Sequence, residues 1–363
     1  MRIYCGLCGH KAHELFTHIR EVHELTPERY AERCPGAPLA SEELVEFVRE
    51  NDVQMTEEGP RKQVEMFGFQ VMADLVPGES VPASQEQYLL REDLGRLVTA
   101  GLKEAEKLLL VGPTGVGKST LVEQLASRLN WGVVRVAASG GLTEADLLGE
   151  WTVRGGETVF NYGFLPRAMR EGAICLIDEI DGLEPSVAFS LHQLMEDGGR
   201  LVLLQNGGEV IEPHPRFRLI CTANTLGHGD DSGFYTGTRV LNAAFLDRFA
   251  SVIRVKHLDQ QDEAEVLCRR VPECPEELAR KLVGAACAVR QARENDQIFC
   301  TLSTRRLIDI ARKRFQLGSL VQALKVGLLS RLAPEDSSAV KEILQRHLGD
   351  LLEAEREEDA DES

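Results

Sequence analysis

The stretch KLLLVGPTGVGKSTLVEQLASRL, residues 107–129, places a glycine-rich loop between an apolar run and a predicted helix. The apolar run has the length and composition of a buried strand. The loop fits the phosphate-binding pattern Gly-x4-Gly-Lys-Ser/Thr, in the strand–loop–helix context that this pattern requires. The sequence therefore predicts a nucleotide-phosphate site at the edge of an α/β sheet.

The loop residues have distinct expected roles at this site. Glycines let backbone N–H groups approach the phosphates, and the start of the following helix favours anions. We expect Lys118 to reach the β- and γ-phosphates, and the Ser119 hydroxyl to bind Mg²⁺. The predicted nucleotide-binding residues of the loop are Gly112, Pro113, Thr114, Gly115, Val116, Gly117, Lys118, Ser119 and Thr120.

The rest of the chain divides by composition into further regions. Residues 86–256 contain five apolar runs typical of a parallel sheet with crossovers, namely KLLLVGP, WGVVRVA, AICLIDE, FRLICTAN and ASVIRV. Residues 257–350 contain no comparable run and favour a helical bundle. Residues 1–40 are rich in Cys and His, and residues 41–85 are acidic and then rich in Pro and Gly, so we expect a small module followed by a linker. Residues 351–363 are predicted to be an acidic, disordered tail.

The net charge of the chain is concentrated in two short segments. The formal charge is −17 at pH 7 over 363 residues, and residues 41–58 and 353–363 each hold seven acids and one base, a net −6 apiece. An acidic chain is a poor general ligand for nucleic-acid backbones. No run approaches the roughly 18 apolar residues of a membrane span, and no apolar signal segment opens the chain. We therefore expect a cytoplasmic protein with no membrane partner.

Polar residues at the ends of two further strands suit the same phosphate site. Asp178 and Glu179 end AICLIDE, at the position where parallel sheets bind ligands. We expect Asp178 to bind in the magnesium shell and Glu179 to polarise the attacking water as a general base. Asn224 ends FRLICTAN and is expected to orient that water and sense the γ-phosphate. Asp181 lies past the strand end and fits a solvated helix N-cap.

Two arginines extend the predicted site. Arg248, in NAAFLDRFA, has no evident use in a single domain, but in a ring it could reach the γ-phosphate of a neighbouring subunit as an arginine finger. Arg305, in LSTRRL, could fold back onto the phosphates of its own subunit. Arg306 competes for that role, and surface salt bridging is the alternative for either residue.

Taken in this order, the motifs resemble those of AAA+ ATPases of the MoxR type, and among them the ATPase subunit of aerobic cobaltochelatase (CobS-like). The likeness extends over residues 65–350 and includes HPRFRLICTANTLGHGDDSGFYTGTRVLN. The resemblance implies an AAA+ P-loop domain with a C-terminal helical lid, ATP hydrolysis with Mg²⁺, and a hexameric ring whose sites are shared between subunits. It implies cis roles for Lys118, Ser119, Asp178, Glu179, Asn224 and Arg305, and a trans role for Arg248.

The same resemblance implies a separate partner protein. This partner would carry a von Willebrand A domain, because the chain lacks the Asp-x-Ser-x-Ser motif of that domain. The motor would remodel or activate the partner, and metal chelation is one version of that activity. A nucleotide-dependent switch with little turnover is disfavoured by Glu179, since a switch needs no base.

Two segments fit the hairpin insertions of such ATPases. Residues 150–163 and 198–213 have glycine-bearing turns between β-prone arms. The resemblance implies that the hairpins point toward the central pore or the partner. Structural packing on the ring is the alternative.

The N-terminal stretch YCGLCGHKAHELFTHIREVH, residues 4–23, contains a candidate zinc site. Two thiolates and two imidazoles make a closed tetrahedral set, although the absence of any metal is the other interpretation. The candidate ligands are Cys5, Cys8, His18 and His23, with His10 and His13 as alternatives. Residues 4–39 resemble prokaryotic zinc-finger transcriptional regulators.

The charge of this module bears on its partner. Residues 1–34 hold five bases and five acids, so the net charge is zero. Because phosphate neutralisation supplies most non-specific affinity, a neutral module binds DNA poorly. We expect recognition or tethering, with protein as good a target as DNA, and a DNA-associated ATPase tethered through this zinc finger is the alternative function.

Overall fold

The computed structural model opens with a small module of two short strands and two helices. β1 (Ile3–Tyr4) pairs antiparallel with β2 (Lys11–Ala12), and α1 (Phe16–His23) and α2 (Pro27–Arg33) follow. Among the side chains that the structure describes in this module, the buried apolar ones are Cys5, Leu15, Ile19, Leu25 and Tyr30. A core of this size is marginal by itself, so a further source of stability is expected.

The structure describes residues 3–12, 15–23, 25, 27–42, 54–56, 59–75, 78–138, 141–196, 198–225 and 242–361. His13, one of the alternative zinc ligands, lies outside these ranges. Within them, no helix is both long enough and apolar enough to cross a membrane.

A three-stranded antiparallel sheet occupies part of the segment that we expected to be a linker. Its strands are β3 (Gln54–Thr56), β4 (Gly59–Met66) and β5 (Phe69–Asp74). The turn between β4 and β5 contains Phe67 and Gly68, with φ values of 52° and 81°. Two residues with positive φ form the tight turn that matches the twist of a hairpin.

The departure from the predicted linker over residues 41–85 has a packing cause. Val71 and Ala73 alternate along β5 and are buried in the same cluster as Leu94 and Val98 of α3 (Glu92–Lys103). Burial of one face of the sheet against a helix stabilises these short strands. The acidic and Pro/Gly-rich composition of the surrounding residues obscured this alternation.

The central region of the chain alternates strands with helices. Its elements, in chain order, are β6 (Leu108–Val111), α4 (Lys118–Arg128), β7 (Val133–Ala137), α5 (Glu144–Leu148), β8 (Gly149–Arg154), β9 (Glu157–Tyr162), α6 (Phe164–Glu171), β10 (Ile174–Asp178), α7 (Pro185–Met195), β11 (Leu201–Leu203), β12 (Glu209–Ile211), β13 (Arg218–Ala223), α8 (Ala243–Leu246) and β14 (Ser251–Arg254). Five of these strands form a parallel sheet in the order β14-β6-β13-β10-β7. Every residue of β6, β10 and β13 is buried, as strands covered on both faces require. The five strands predicted from apolar runs are confirmed.

Both predicted hairpins form, and they contact each other. β8 pairs with β9, and β11 pairs with β12. The indole Nε1 of Trp151 donates to the carbonyl oxygen of Gln205 at 2.8 Å, and the Tyr162 hydroxyl donates to Glu209 at 2.9 Å. The hairpins are therefore joined by side-chain hydrogen bonds although they are distant in sequence.

The C-terminal region, or lid, is helical as predicted. Its helices are α9 (Gln260–Arg270), α10 (Glu276–Glu294), α11 (Thr304–Leu317), α12 (Leu320–Gly327) and α13 (Pro334–Asp361). They share a separate apolar core, which contains Leu282, Leu307, Leu324 and Leu344.

The last helix departs from the predicted disordered tail at residues 351–363, because α13 continues to Asp361. Val340, Leu344, Leu348 and Leu352 follow at four-residue spacing and are buried in the lid core. Once these turns are packed, each further residue extends the helix at little cost, and Glu and Ala have high helix propensity.

A buried ion pair stabilises the lid and supports the start of α11. The guanidinium of Arg290 donates to both carboxylate oxygens of Glu263 at 2.7 Å, and its Nε donates to the Leu302 carbonyl oxygen at 2.7 Å. The Thr304 hydroxyl donates to Glu263 as well. Ser303, which lies between Leu302 and Thr304, packs against the phosphate loop. The pair therefore holds the segment of the lid that meets the loop.

Arg290→Met leaves the Glu263 carboxylate buried without its partner. We expect the free energy of unfolding of the lid to fall by about 3–5 kcal/mol. Urea unfolding followed by circular dichroism measures this change. In the control Arg280→Met, on the same helix, the lost pair with Glu276 is exposed and the expected loss is below about 1 kcal/mol. Equal stability of the two variants would contradict the prediction.

Candidate active site

The predicted phosphate-loop residues lie between the end of β6 and the first turn of α4. Gly115 has a φ of 80° and Gly117, which precedes α4, has a φ of 92°. Residues other than glycine rarely adopt these φ values. A Cβ added at Gly112 would lie 2.0 Å from the Val255 carbonyl oxygen, so only glycine fits there. The loop leads into a helix N-terminus whose N–H groups are available to an anion.

Lys118 is buried and held against the loop. Its Nζ donates to the carbonyl oxygens of Gly112 at 2.6 Å and Pro113 at 3.1 Å, and to the Asn224 side-chain oxygen at 2.9 Å. Burial lowers the pKa of Lys118 to about 8, and nearby carboxylates, Asp181 first among them, oppose this effect. The amine thus lies among acceptors that phosphate oxygens could replace.

Asp178 lies at the end of β10 and is 5% exposed. Its Oδ1 accepts hydrogen bonds from the Ser119 hydroxyl and, at 2.9 Å, from the Thr222 hydroxyl. Its Oδ2 accepts one from the Nε of Arg135, which also binds Glu123. A hydroxyl and a carboxylate in contact are hard oxygen donors of the kind that Mg²⁺ prefers. The donor set at Ser119 and Asp178 therefore fits a magnesium ion.

Glu179 adopts a left-handed backbone conformation, with φ 56° and ψ 47°. This conformation is uncommon for a residue with a side chain and costs about 1–3 kcal/mol. The Glu179 N–H donates to the Thr222 hydroxyl at 3.0 Å, and a tight turn over Ile180–Gly182 follows. The sharp change of direction leaves the Glu179 carboxylate exposed at the end of the strand.

Asn224 lies between the lysine and the glutamate. Its Oδ1 accepts from Lys118 at 2.9 Å and from the Thr114 hydroxyl at 3.2 Å, and its Nδ2 lies 3.5 Å from Glu179 Oε1. One amide thus contacts the loop, the lysine and the exposed carboxylate. The structure brings these predicted residues together.

Arg305, which we predicted to contact the phosphates of its own subunit, lies at a cleft between the loop and the lid. The cleft has a volume of about 260 Å³, and its lining includes Arg305, Gly115 and Tyr88. Arg306 instead packs within the lid and donates to the Gly327 carbonyl oxygen at 3.4 Å. Burial lowers the pKa of Arg306. Of the two arginines, Arg305 is the one that lines the cleft.

A separate cluster in the N-terminal module joins the four candidate zinc ligands, with all donor atoms within 4.8 Å of one another. Cys5 Sγ lies 3.4 Å from His23 Nε2, and Cys8 Sγ lies 3.1 Å from His18 Nε2 and 3.3 Å from His23 Nε2. A tetrahedral zinc site has donor atoms about 3.3–3.8 Å apart, given its bond lengths. These residues fit the metal. His10 stacks on His18 with ring centroids 4.2 Å apart and lies outside the cluster.

Comparison with known proteins decides the family. Residues 107–249 match the model of the AAA domain (dynein-related subfamily), and residues 263–350 match the CbbQ/NirQ/NorQ C-terminal model. The aerobic cobaltochelatase subunit CobS of Sinorhizobium sp is 33% identical over 277 residues, covering 74% of this chain and 83% of that protein. The chain belongs to the MoxR-type AAA+ ATPases.

Two further relatives are similar to this AAA+ ATPase over different shares of their length. The denitrification regulatory protein NirQ of Pseudomonas aeruginosa is 31% identical over 66% of this chain and 89% of its own. Protein NorQ of Paracoccus denitrificans is 39% identical over 38% of this chain and 50% of its own. The family and the P-loop fold confirm the prediction of ATP hydrolysis.

Arg248 lies apart from the other predicted residues of the AAA+ site. It follows α8, and its Nε and Nη2 donate to Glu196 at 3.0 and 2.7 Å. Its Nη1 donates to the Ala244 carbonyl oxygen at 2.6 Å. Among the described residues, these contacts bring Arg248 to the end of α7 rather than to the phosphate loop of its own chain.

The sequence did not reveal two residues that contact the Asp178 carboxylate of this ATPase. Arg135 is a charged residue within the otherwise apolar run VVRVA, and that interruption was the available signal. Thr222 is buried at 1% exposure and connects Asp178 to the Glu179 N–H. Both depend on which strands are neighbours, because β7 and β13 flank β10.

Asp181 corrects the sequence interpretation. We expected a solvated helix N-cap, but Asp181 is 0% exposed and α7 begins only at Pro185, with Glu184 in the N-cap position. The Asp181 carboxylate accepts hydrogen bonds from the segment that begins at Asn224. The expectation of a solvated cap was wrong because the turn after Glu179 directs this side chain inward.

Proposed function

We propose that this AAA+ ATPase forms a hexameric ring and uses ATP hydrolysis to remodel or activate a separate partner protein. One observation carries the proposal: Asn224 contacts both Lys118 and Glu179, whereas Arg248 binds Glu196. A complete phosphate site accompanied by an arginine with separate contacts suits an arginine finger that acts on a neighbouring subunit.

The contacts of the site support a distinct role for each residue. Glu179 suits the general base because its carboxylate is exposed beside the loop. Asn224 suits the γ-phosphate sensor because it contacts both that carboxylate and Lys118. Asp178 and Ser119 would hold Mg²⁺, which neutralises phosphate charge when it is bound.

Two further groups have roles in the proposed cycle. Arg305 lines the cleft, which supports a cis contact with the phosphates. The joined hairpins expose Trp151 at 51% and Leu204 at 77%, which suits contact with the pore or the partner. Exposed apolar side chains of this kind are typical of interaction sites.

The partner is inferred from family likeness. The relative in Sinorhizobium is named a cobaltochelatase subunit, which supports work within a larger assembly. We infer a partner with a von Willebrand A domain, and a chelatase-like activity in which the motor drives metal insertion. The acidic character of the chain agrees with a protein partner rather than nucleic acid.

We also infer that the N-terminal cluster binds Zn²⁺ as a structural site. Its closed Cys₂His₂ donor set is complete, and the small apolar core of the module needs such a contribution. The balanced charge of residues 1–34 favours a role in recognising or tethering a protein.

Glu179→Gln tests the hydrolysis mechanism and the partner together. Loss of the base should lower kcat by about 100-fold or more and leave ATP affinity nearly unchanged. Steady-state ATPase assays and a fluorescent-nucleotide titration measure the two quantities. The ATP-trapped variant is then used to isolate bound proteins. Glu277→Gln, on the lid surface, is the control. An unchanged kcat would contradict the base assignment, and recovery of nucleic acid without protein would contradict the partner assignment.

Mixed rings test the trans role of Arg248. Arg248→Ala and Lys118→Ala subunits should each be inactive alone and regain activity when mixed, because each supplies what the other lacks. ATPase activity is measured against mixing ratio, and subunit exchange is verified with two affinity tags. Mixed rings without recovered activity would show that Arg248 does not act on a neighbouring site.

Metal removal tests the zinc site. Elemental analysis should find one zinc per chain, and a chelator should make residues 1–40 sensitive to protease while ATPase activity persists. A Cys5→Ser/Cys8→Ser variant should show the same cleavage without chelator. Absence of zinc from the purified protein, or an unchanged protease pattern after chelation, would contradict the assignment.

A further inference from the structure

Asp181 is a fully buried carboxylate, and its hydrogen bonds to the described part of the chain go to one segment. Its Oδ2 accepts from the Asn224 N–H at 2.9 Å, the Thr225 N–H at 2.9 Å and the Thr225 hydroxyl at 3.1 Å. Its Oδ1 is buried and has no hydrogen-bond partner among the described residues. A buried carboxylate with half of its acceptor capacity unused is costly, so its retention requires a reason.

The position of Asp181 connects the two sides of the hydrolytic site. It lies in the tight turn directly after Glu179, two residues along the chain. Its bonded segment begins at Asn224, whose side chain contacts Lys118 and Glu179. The backbone of Asn224 is therefore hydrogen-bonded to the turn that directly follows Glu179.

Fixing the backbone in this way determines where the Asn224 amide lies. Two successive N–H groups bound to one oxygen restrict both the position and the direction of the strand end after β13. The charge of Asp181 is partly offset by Lys118, whose pKa it raises against burial. The groups that interact with Asp181 thus belong to the hydrolytic site or to the segment directly after it.

We infer that Asp181 is a positioning residue that holds the Asn224 amide in register with Glu179 and Lys118. This inference rests on the proposed role of Asn224 in hydrolysis. Asp181 does not touch the reacting atoms. It acts through the backbone of Asn224, so its loss should lower the rate of hydrolysis more than it weakens nucleotide binding.

Asp181→Leu removes all three acceptor contacts at similar volume. We expect kcat to fall by about 10- to 100-fold, the equivalent of one or two charge-assisted hydrogen bonds. The dissociation constant of a fluorescent ADP should change little. Hydrogen exchange at the Asn224 and Thr225 amides, followed by mass spectrometry of the overlapping peptides, should accelerate. Asp181→Ser, whose hydroxyl is too short to bridge both amides, takes its place if the leucine variant does not fold.

Asp181→Asn provides the conservative rescue. Its amide oxygen can accept from the same three donors without the charge, so slow exchange at Asn224 and most of kcat should return. The control Asp336→Leu removes a buried aspartate that accepts the Phe299 N–H within the lid. It should lower stability and leave kcat unchanged. If Asp336→Leu and Asp181→Leu alter kcat equally, the effect of Asp181 is general destabilisation and the inference fails.

A double-mutant cycle separates this inference from the proposed function. Asn224→Ala should lower kcat, and Asp181→Leu combined with Asn224→Ala should be no slower than Asn224→Ala alone. An unchanged kcat in Asn224→Ala would overturn the role of Asn224 itself. A normal Asp181→Leu beside a slow Asn224→Ala, or losses that multiply in the double variant, would overturn the positioning role alone.

Discussion

The buried carboxylate of Asp178 is the interaction on which the arrangement of the site depends. It takes hydrogen bonds from α4 through Ser119, from β13 through Thr222 and from β7 through Arg135. A carboxylate withdrawn from water must be paired, so one side chain restricts three elements that are distant in sequence. Glu179 is the next residue in the chain, and its exposed carboxylate stands on a backbone of uncommon conformation. The hydrogen bonds of Asp178 make that conformation possible, because they hold the residue directly before it.

Apolar runs and glycine spacing predicted the five strands and the phosphate loop because both patterns are local. A strand covered on two faces must be apolar along its length, and the loop requires glycine where φ is positive or where Val255 approaches. The roles of Arg135 and Asp181 could not be derived in this way. Their contacts follow from strand order and from a turn that reverses a side chain, and neither leaves a periodic signal. The sequence did not predict the hairpin of β4 and β5, because its alternation of buried and exposed residues is short and the surrounding residues are acidic.

The lid uses the same physical solution as the core. Glu263 and Arg290 are both buried, and their charges are satisfied by each other, by the Leu302 carbonyl oxygen and by Thr304. These contacts secure the residues on either side of Ser303, which meets the phosphate loop at Gly115. Glu263 in the lid and Asp178 in the α/β core are thus two buried carboxylates, and each is paired with hydrogen-bond donors from other segments of its own region.

The hydrogen bond between Trp151 and the Gln205 carbonyl oxygen has a mechanical consequence. Gln205 also donates to Glu144 at the start of α5, so the tie reaches the helix that leads into the first hairpin. The two hairpins are therefore expected to move together rather than independently. A force applied to the tip of either hairpin is transmitted to the bases of both, one beside α5 and the other beside α7. The hydrogen bonds thus stiffen the hairpins without a larger apolar core.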